Sequence, residues 1–335
     1  MRNGHMYKVP LSIDGKPATI EQLTGAFNQV IHMADSKRAS RVGVLTNDDR
    51  SVWSRNRDTL HRLSHDNASS LRDIESADFV VCLDRAKPQT ADERVSCLWS
   101  ATESNRWHDK PLQFVVFDNG VSGLIGEHSM IDGIVTRHLD THVIHAIQEP
   151  PPRQPGAASS FPDSTPVLIG TNDELEAHID LIPKALCTRL QNLRVKILDL
   201  DQFGTQLSRK HGLSPNAFVN MVVQLAFYKL YNKPVPTVEA VTTSNYFQGR
   251  LDFCRVVTDE VVAFCQAMAQ QPRDARECQT LFQRAVRKHV GQIAAVAGGG
   301  GVDMHFLALK DMARETQEAP SLSQTQCLSI AATAW

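Results

Sequence analysis

Leu112-Gln113-Phe114-Val115-Val116-Phe117-Asp118-Asn119-Gly120-Val121-Ser122-Gly123-Leu124-Ile125-Gly126-Glu127-His128-Ser129-Met130-Ile131-Asp132-Gly133 decides how this chain is read. The first six residues read as a buried strand. Asn119-Gly120 supplies the positive-φ residues of a tight hairpin turn, and Val121 to Gly126 returns as the partner strand. His128 therefore emerges where a paired strand ends, a rigid platform. The spacing His-x-x-x-Asp-Gly suits a general base that takes a proton from an attacking hydroxyl. A structural histidine is the competing reading, and the motif by itself favours it.

Downstream, Ile131, Ile134, Val135, Leu139, Val143, Ile144 and Ile147 recur at intervals of three and four, the period of an amphipathic helix. A helix beginning near Ser129 places Asp132 in its first turn, where unsatisfied amides favour a carboxylate. Asp132 is then a structural support of the histidine motif rather than a second catalytic carboxylate.

Upstream, strands are expected near Val42 to Leu45 and Asp78 to Leu83, with a helix from about Ser51 to Leu63. Glu149-Pro150-Pro151-Pro152-Arg153-Gln154-Pro155-Gly156 and the following Ala157-Ala158-Ser159-Ser160 suit neither helix nor strand and read as an exposed linker. The expected organisation is a half over 1–148 carrying the histidine motif, a proline-rich linker over 149–166, and a second half over 167–335. In that second half, Ser214 reads as an N-cap and Pro215 as the first helical residue, with Phe218, Met221, Val222, Leu225 and Tyr228 on a core face. Gly298 to Gly301 follows no strand and reads as a flexible loop before Asp303.

Composition narrows the function classes. The 335 residues are 42% hydrophobic and 21% charged, enough for a full core in one large domain or two ordinary ones. Lys+Arg 35 against Asp+Glu 37 gives a net charge of -2, so no basic field advertises nucleic acid as a partner. Small acidic coenzymes must then be met by local charge. Cys82, Cys97, Cys187, Cys254, Cys265, Cys278 and Cys327 form no Cys-x-x-Cys pair, and their odd number suits a reducing compartment rather than a disulfide or metal role. No stretch approaches the ~18 apolar residues of a membrane span. The first residues, Met1 to Lys8, lack the apolar core of a signal peptide, which reads as cytoplasmic.

Six stretches taken together resemble the choline/carnitine acyltransferase family. They are Val44 to Trp53, Asn105 to Phe114, the His128 motif, Leu213 to Phe218 with Gln224 to Tyr228, Gly249-Arg250, and Gly301 to Lys310. The resemblance implies an α/β fold of two similar halves, the coenzyme A-dependent acyltransferase fold also found in chloramphenicol acetyltransferase, with mixed sheets packed by helices and the active site in a tunnel between the halves. It implies acyl-coenzyme A as cosubstrate, bound along the half that lacks the histidine and not held permanently. It also implies a small-molecule hydroxyl acceptor, with His128 as the catalytic base acting on an acyl thioester. Family members also occur in mitochondria and peroxisomes.

Departures from the family pattern limit what carries over. The tyrosine, threonine and arginine that hold the carboxylate of carnitine in carnitine-specific members correspond to Val238, Leu251 and Met304. A carboxylate desolvated there without a donor costs several kcal/mol, so the acceptor is not expected to be carnitine. Of the lysine pair that meets coenzyme A phosphates, the first position is Thr205 and the second Arg209, followed by Lys210. Arg209 and Lys210 are the expected coenzyme A contacts. The last serine of the family's Ser-Thr-Ser oxyanion segment corresponds to Ala331, leaving Ser329 as the oxyanion candidate, with Thr333 beside it.

The resemblance also matches Gly4 to Lys8 to a strand well inside the family domain, and Trp335 follows soon after the oxyanion segment. It thus implies uncovered sheet edges and association with another polypeptide. A polyketide synthase or carrier protein as thioester donor is one form of that reading. A degenerate, non-catalytic module that keeps the fold for binding or assembly is the alternative.

Overall fold

The computed structural model describes residues 1–37, 40–99, 104–129, 131–149, 161–191, 193–201 and 203–315. Two compact units emerge, Met1–Leu198 and Asp199–Trp335. In the first, strands β1 (Met6–Lys8), β2 (Ser12–Ile13) and β3 (Lys16–Pro17) precede helix α1 (Ile20–Asp35) and a 3-10 segment over Val42–Asn47. Helices α2 (Arg50–Leu63) and α3 (His65–Ser76), strand β4 (Val80–Asp84) and helix α4 (Ala91–Trp99) follow. The unit continues through β5 (Leu112–Phe117), β6 (Ser122–Gly126), α5 (Gly133–Gln148), β7 (Thr165–Val167) and α6 (Asp173–Leu190).

The expected hairpin is present, and it sits in a mixed three-stranded sheet. Strand β5 pairs parallel with β4 and antiparallel with β6, with Val115 opposite Cys82 and Gly123. Along β5 the buried residues alternate, Gln113, Val115 and Phe117, which turns one face of the sheet to the core. The turn differs in detail from expectation: Gly120 alone takes positive φ, at 81°, and its N–H donates to Phe117 O at 2.8 Å. This is the type I turn closed by a left-handed glycine that three-residue hairpin loops favour.

The core below the sheet gathers Leu45, Trp53, Leu60, Leu71, Cys82, Val115, Phe117, Leu175 and Ile179. Each large aliphatic buried there contributes about 1.5–3 kcal/mol. Trp53 and Trp107 meet edge to face at 5.4 Å between centroids.

Three expectations in this unit are corrected. Residues 42–45 form no strand; Val42, Gly43, Val44 and Leu45 are all buried in the 3-10 segment, where Thr46 Oγ1 donates to Gly43 O at 2.7 Å. A short, wholly apolar run has no period that separates strand from buried helical turn. The boundary between units lies at 198/199 instead of at the proline-rich stretch, because β7 pairs with β1 and α6 sends Leu175, Ile179 and Ile182 into the first core. Of the linker, 150–160 lie outside the described residues. Lastly, α5 begins at Gly133 rather than near Ser129, and every one of its residues is at least partly exposed, including Ile134, Val135, Ile144 and Ile147.

The second unit holds α7 (Thr205–Lys210), α8 (Pro215–Tyr231), strands β8 (Val238–Thr242) and β9 (Leu251–Arg255), α9 (Asp259–Ala269), α10 (Ala275–Ala295) and α11 (Asp303–Glu315). The Ser214 hydroxyl caps α8 by accepting from Ala217 N–H, with Pro215 at the first helical position as expected. Ala217 and Met221 pack with Val256, Phe264, Cys265, Ala285 and Val286, and Leu225 and Tyr228 line that core. Val222, expected on the same face, is exposed. The glycine run breaks the helix: after α10 the chain winds on over Val296–Gly300 and kinks at Gly299, which takes φ 84°, and Gly298 O accepts from the Tyr246 hydroxyl at 2.7 Å.

Candidate active site

His128 lies just beyond β6, on the turn that leads into α5, and its side chain is 57% exposed. Asp132 is the N-cap residue of α5, with extended backbone, and its carboxylate makes no capping bond. Asp132 Oδ1 instead stands 3.9 Å from His128 Nε2. That separation is longer than a direct hydrogen bond, so the two side chains stand side by side on one turn. The turn presents a solvent-facing imidazole with a carboxylate beside it.

The residues on either side of His128 are tied down. Glu127 N–H donates to Pro111 O at 2.9 Å, which keeps the chain on the sheet edge after β6 ends. Glu127 Oε2 accepts from Ser129 N–H at 3.1 Å and from the Ser129 hydroxyl at 2.5 Å. Arg50 reaches the same turn, its Nη2 donating to Ser129 Oγ at 3.0 Å and lying 3.3 Å from Glu127 Oε1. Burial pushes the Glu127 carboxyl up, but the Ser129 bonds and the Arg50 charge together outweigh it and hold the group below its ordinary range.

Behind the turn, a cavity of about 310 Å³ is bordered by Arg50, Asp109 and Glu127 on one side and Trp53 and His108 on another. Burial, helped by the Arg106 charge, pushes the His108 imidazole down to about 4. The stretch containing it is a scaffold. Asp84 accepts from Asn105 Nδ2 at 2.6 Å and from both terminal nitrogens of Arg106, at 2.9 and 2.7 Å, with Arg106 and Asp84 almost fully buried. Trp107 N–H donates to Gln113 Oε1 at 2.9 Å, and Lys110 Nζ to Glu75 O at 2.7 Å. These bonds fix the start of β5 and therefore where β6 delivers His128.

In the second unit, Arg209 and Lys210 form the last turn of α7, both exposed. Cations at a helix C-terminus are favoured by its dipole, which accounts for their placement without a ligand. Val238 pairs with Arg255 and Leu251 with Thr242, which puts the two apolar positions on one face of the β8–β9 ribbon, roughly 13 Å apart along it. Met304 stands near the start of α11, its N–H donating to Asp252 Oδ1 at 3.3 Å. Glu239, next to Val238, accepts from Asn216 and Asn220 and lies 3.1 Å from the buried His289. Ser329, Ala331 and Thr333 lie outside the described residues.

Sequence reasoning missed the tie from Arg50 to the His128 turn. No local signal marks it: after Asp48 and the capping Asp49, Arg50 reads as an ordinary surface cation at the start of α2.

The choline/carnitine O-acyltransferase family pattern matches residues 1–334. Rat choline O-acetyltransferase is 31% identical over 307 residues, covering 87% of this chain and 48% of that protein. Human carnitine O-acetyltransferase is 27% identical over 90% of this chain and 50% of its own length. A highly reducing polyketide synthase of Aspergillus luteorubrus is 31% identical over 90% of this chain, which is 10% of that protein. The chain spans about half the length of the curated acetyltransferases it matches. Its fold is the mixed α/β one expected, no described helix is long and apolar enough to cross a membrane, and the match runs through every stretch quoted above. The chain belongs to the choline/carnitine O-acyltransferase family.

Proposed function

We propose that this chain transfers an acyl group between a thioester and the hydroxyl of a small molecule, with His128 as general base. The supporting observation is the His128 turn itself: an exposed imidazole at the end of β6, with the Asp132 carboxylate 3.9 Å from Nε2. In this reading His128 takes the acceptor's proton as its oxygen attacks the thioester carbonyl, and Asp132 stabilises the imidazolium that results. The tetrahedral oxyanion falls to Ser329, and the phosphates of coenzyme A to Arg209 and Lys210. Val238, Leu251 and Met304 give a carboxylate no partner, so the acceptor is an alcohol other than carnitine.

The likeness to part of a polyketide synthase supports a second form of the same reaction, in which a carrier protein holds the thioester. Thiol release from acyl-coenzyme A, measured with a panel of alcohols including carnitine, tests the proposal. His128→Ala is expected to lower turnover by roughly 10²- to 10⁴-fold with an unchanged circular dichroism spectrum, and carnitine to be a poor acceptor. Unchanged turnover in the variant removes His128 from the mechanism.

A further inference from the structure

Arg50 is the first residue of α2, directly after the capping Asp49. Asp49 caps that helix by accepting from Ser51 N–H at 2.8 Å, so the N-terminus is already met by an acid and does not account for where the Arg50 side chain goes. Its side chain is 60% exposed, so burial does not explain it either. Its contacts do. Nη1 donates to Asp109 Oδ1 at 3.0 Å, just before β5, while Nη2 donates to Ser129 Oγ at 3.0 Å and faces Glu127 Oε1 at 3.3 Å. The Ser129 hydroxyl accepts from Arg50 and donates to Glu127, which uses both of its capacities. The residues immediately before and after His128 are thus gripped by one planar fork, whose other prong is fixed to the start of the sheet.

We propose that Arg50 is a positioning residue for His128, holding the Glu127–Ser129 turn against Asp109 so that the imidazole keeps its place beside Asp132. The inference rests on His128 being the base. The cavity of about 310 Å³ bordered by Arg50, Asp109 and Glu127 leaves the turn room to shift when the guanidinium is removed. Exposed ion pairs add little to stability, whereas a misplaced base costs up to about 10²-fold in rate. Loss of Arg50 therefore separates activity from stability.

The test compares Arg50→Gln and Arg50→Lys with the unaltered chain. Three quantities are followed: exchange of the Ser129 amide, the imidazole NMR resonances of His128, and kcat and KM for thiol release across pH. In Arg50→Gln the Ser129 amide is expected to exchange tenfold faster or more, the His128 resonances to move, and kcat to fall roughly 10- to 100-fold with KM and thermal midpoint nearly unchanged. Arg50→Lys keeps the charge but cannot span Asp109 and Ser129 at once, so it restores only part of the loss. Unchanged Ser129 exchange and unchanged His128 resonances in Arg50→Gln overturn the proposal, as does full activity with an unaltered pH profile. If His128→Ala leaves turnover intact while Arg50→Gln still frees the turn, the clamp stands and the base assignment falls.

Discussion

Two arginines in the first unit make the same kind of bond in opposite surroundings. Arg106 meets Asp84 with side-chain exposures of 2% and 1%, and Arg50 meets Asp109 with 60% and 23%. Both pairs brace β5, the first beneath its approach and the second at its edge. In the interior each charge has lost its water, and removing one partner strands the other in a medium that does not solvate it. At the surface, water and salt replace either partner cheaply. The buried pair therefore specifies the fold, and the exposed one has only geometry to offer, which is what a turn carrying the proposed base needs.

The largest effect expected from this contrast is on the buried side. Arg106→Met should destabilise the protein by about 3–5 kcal/mol, because Asp84 is left charged and uncompensated in the core. Adding Asp84→Leu should recover most of that loss. Asn105 Nδ2, which also donates to Leu83 O at 3.1 Å, keeps a partner in the double variant. Denaturant midpoints of the two single variants and the double one measure it. A double variant as unstable as Arg106→Met alone would mean that packing of the Arg106 stem, not the stranded charge, is what matters.

His108 lies between the two arginine clusters and reports on acid. Its imidazole is pushed from 6.5 to about 4 by burial and then by Arg106. Between those pH values the unfolded chain takes up a proton that the native one refuses, so stability rises with pH across that window. The contribution is complete above pH 6.5 and is lost as pH falls toward 4, by at most about 3 kcal/mol. His108→Phe fills the site without a titrating group. Unfolding titrations at pH 7.5 and 4.5 should show a smaller acid loss in the variant, by about 1–3 kcal/mol. An equal loss in both proteins would show that the His108 ring is solvated in the native state.

What was legible beforehand was local. The hairpin, the position of His128 after it and the Ser214-Pro215 start of α8 all rest on residues within a few places of one another. The failures were questions of what a segment packs against. The apolar periods of α5 and α8 look alike, yet Met221 of α8 is fully buried while Ile147 of α5 is 67% exposed. A period states that a helix has an apolar face and is silent on what covers it. The unit boundary was missed because β1 and β7 pair across a separation that no local pattern reports. The tie from Arg50 to Asp109 and Ser129 spans 59 and 79 residues, a separation likewise beyond any local pattern.

The smallest expected effect is the most discriminating. A double-mutant cycle of Arg50→Gln and Asp109→Asn should give a coupling of about 1 kcal/mol or less, since one member is largely exposed and the pair is screened within ~10 Å at 0.1 M salt. In 1 M salt that coupling should fall toward zero. The matching cycle on Arg106 and Asp84 should give several kcal/mol and barely respond to salt, because mobile ions do not enter the core. Equilibrium unfolding of the unaltered chain and the six variants at both ionic strengths provides the numbers. If the Arg50 cycle proved as strong and as salt-insensitive as the buried one, the edge of the sheet would be a structural anchor in its own right. A large activity loss in Arg50→Gln would then reflect a loosened β5 rather than a turn set free.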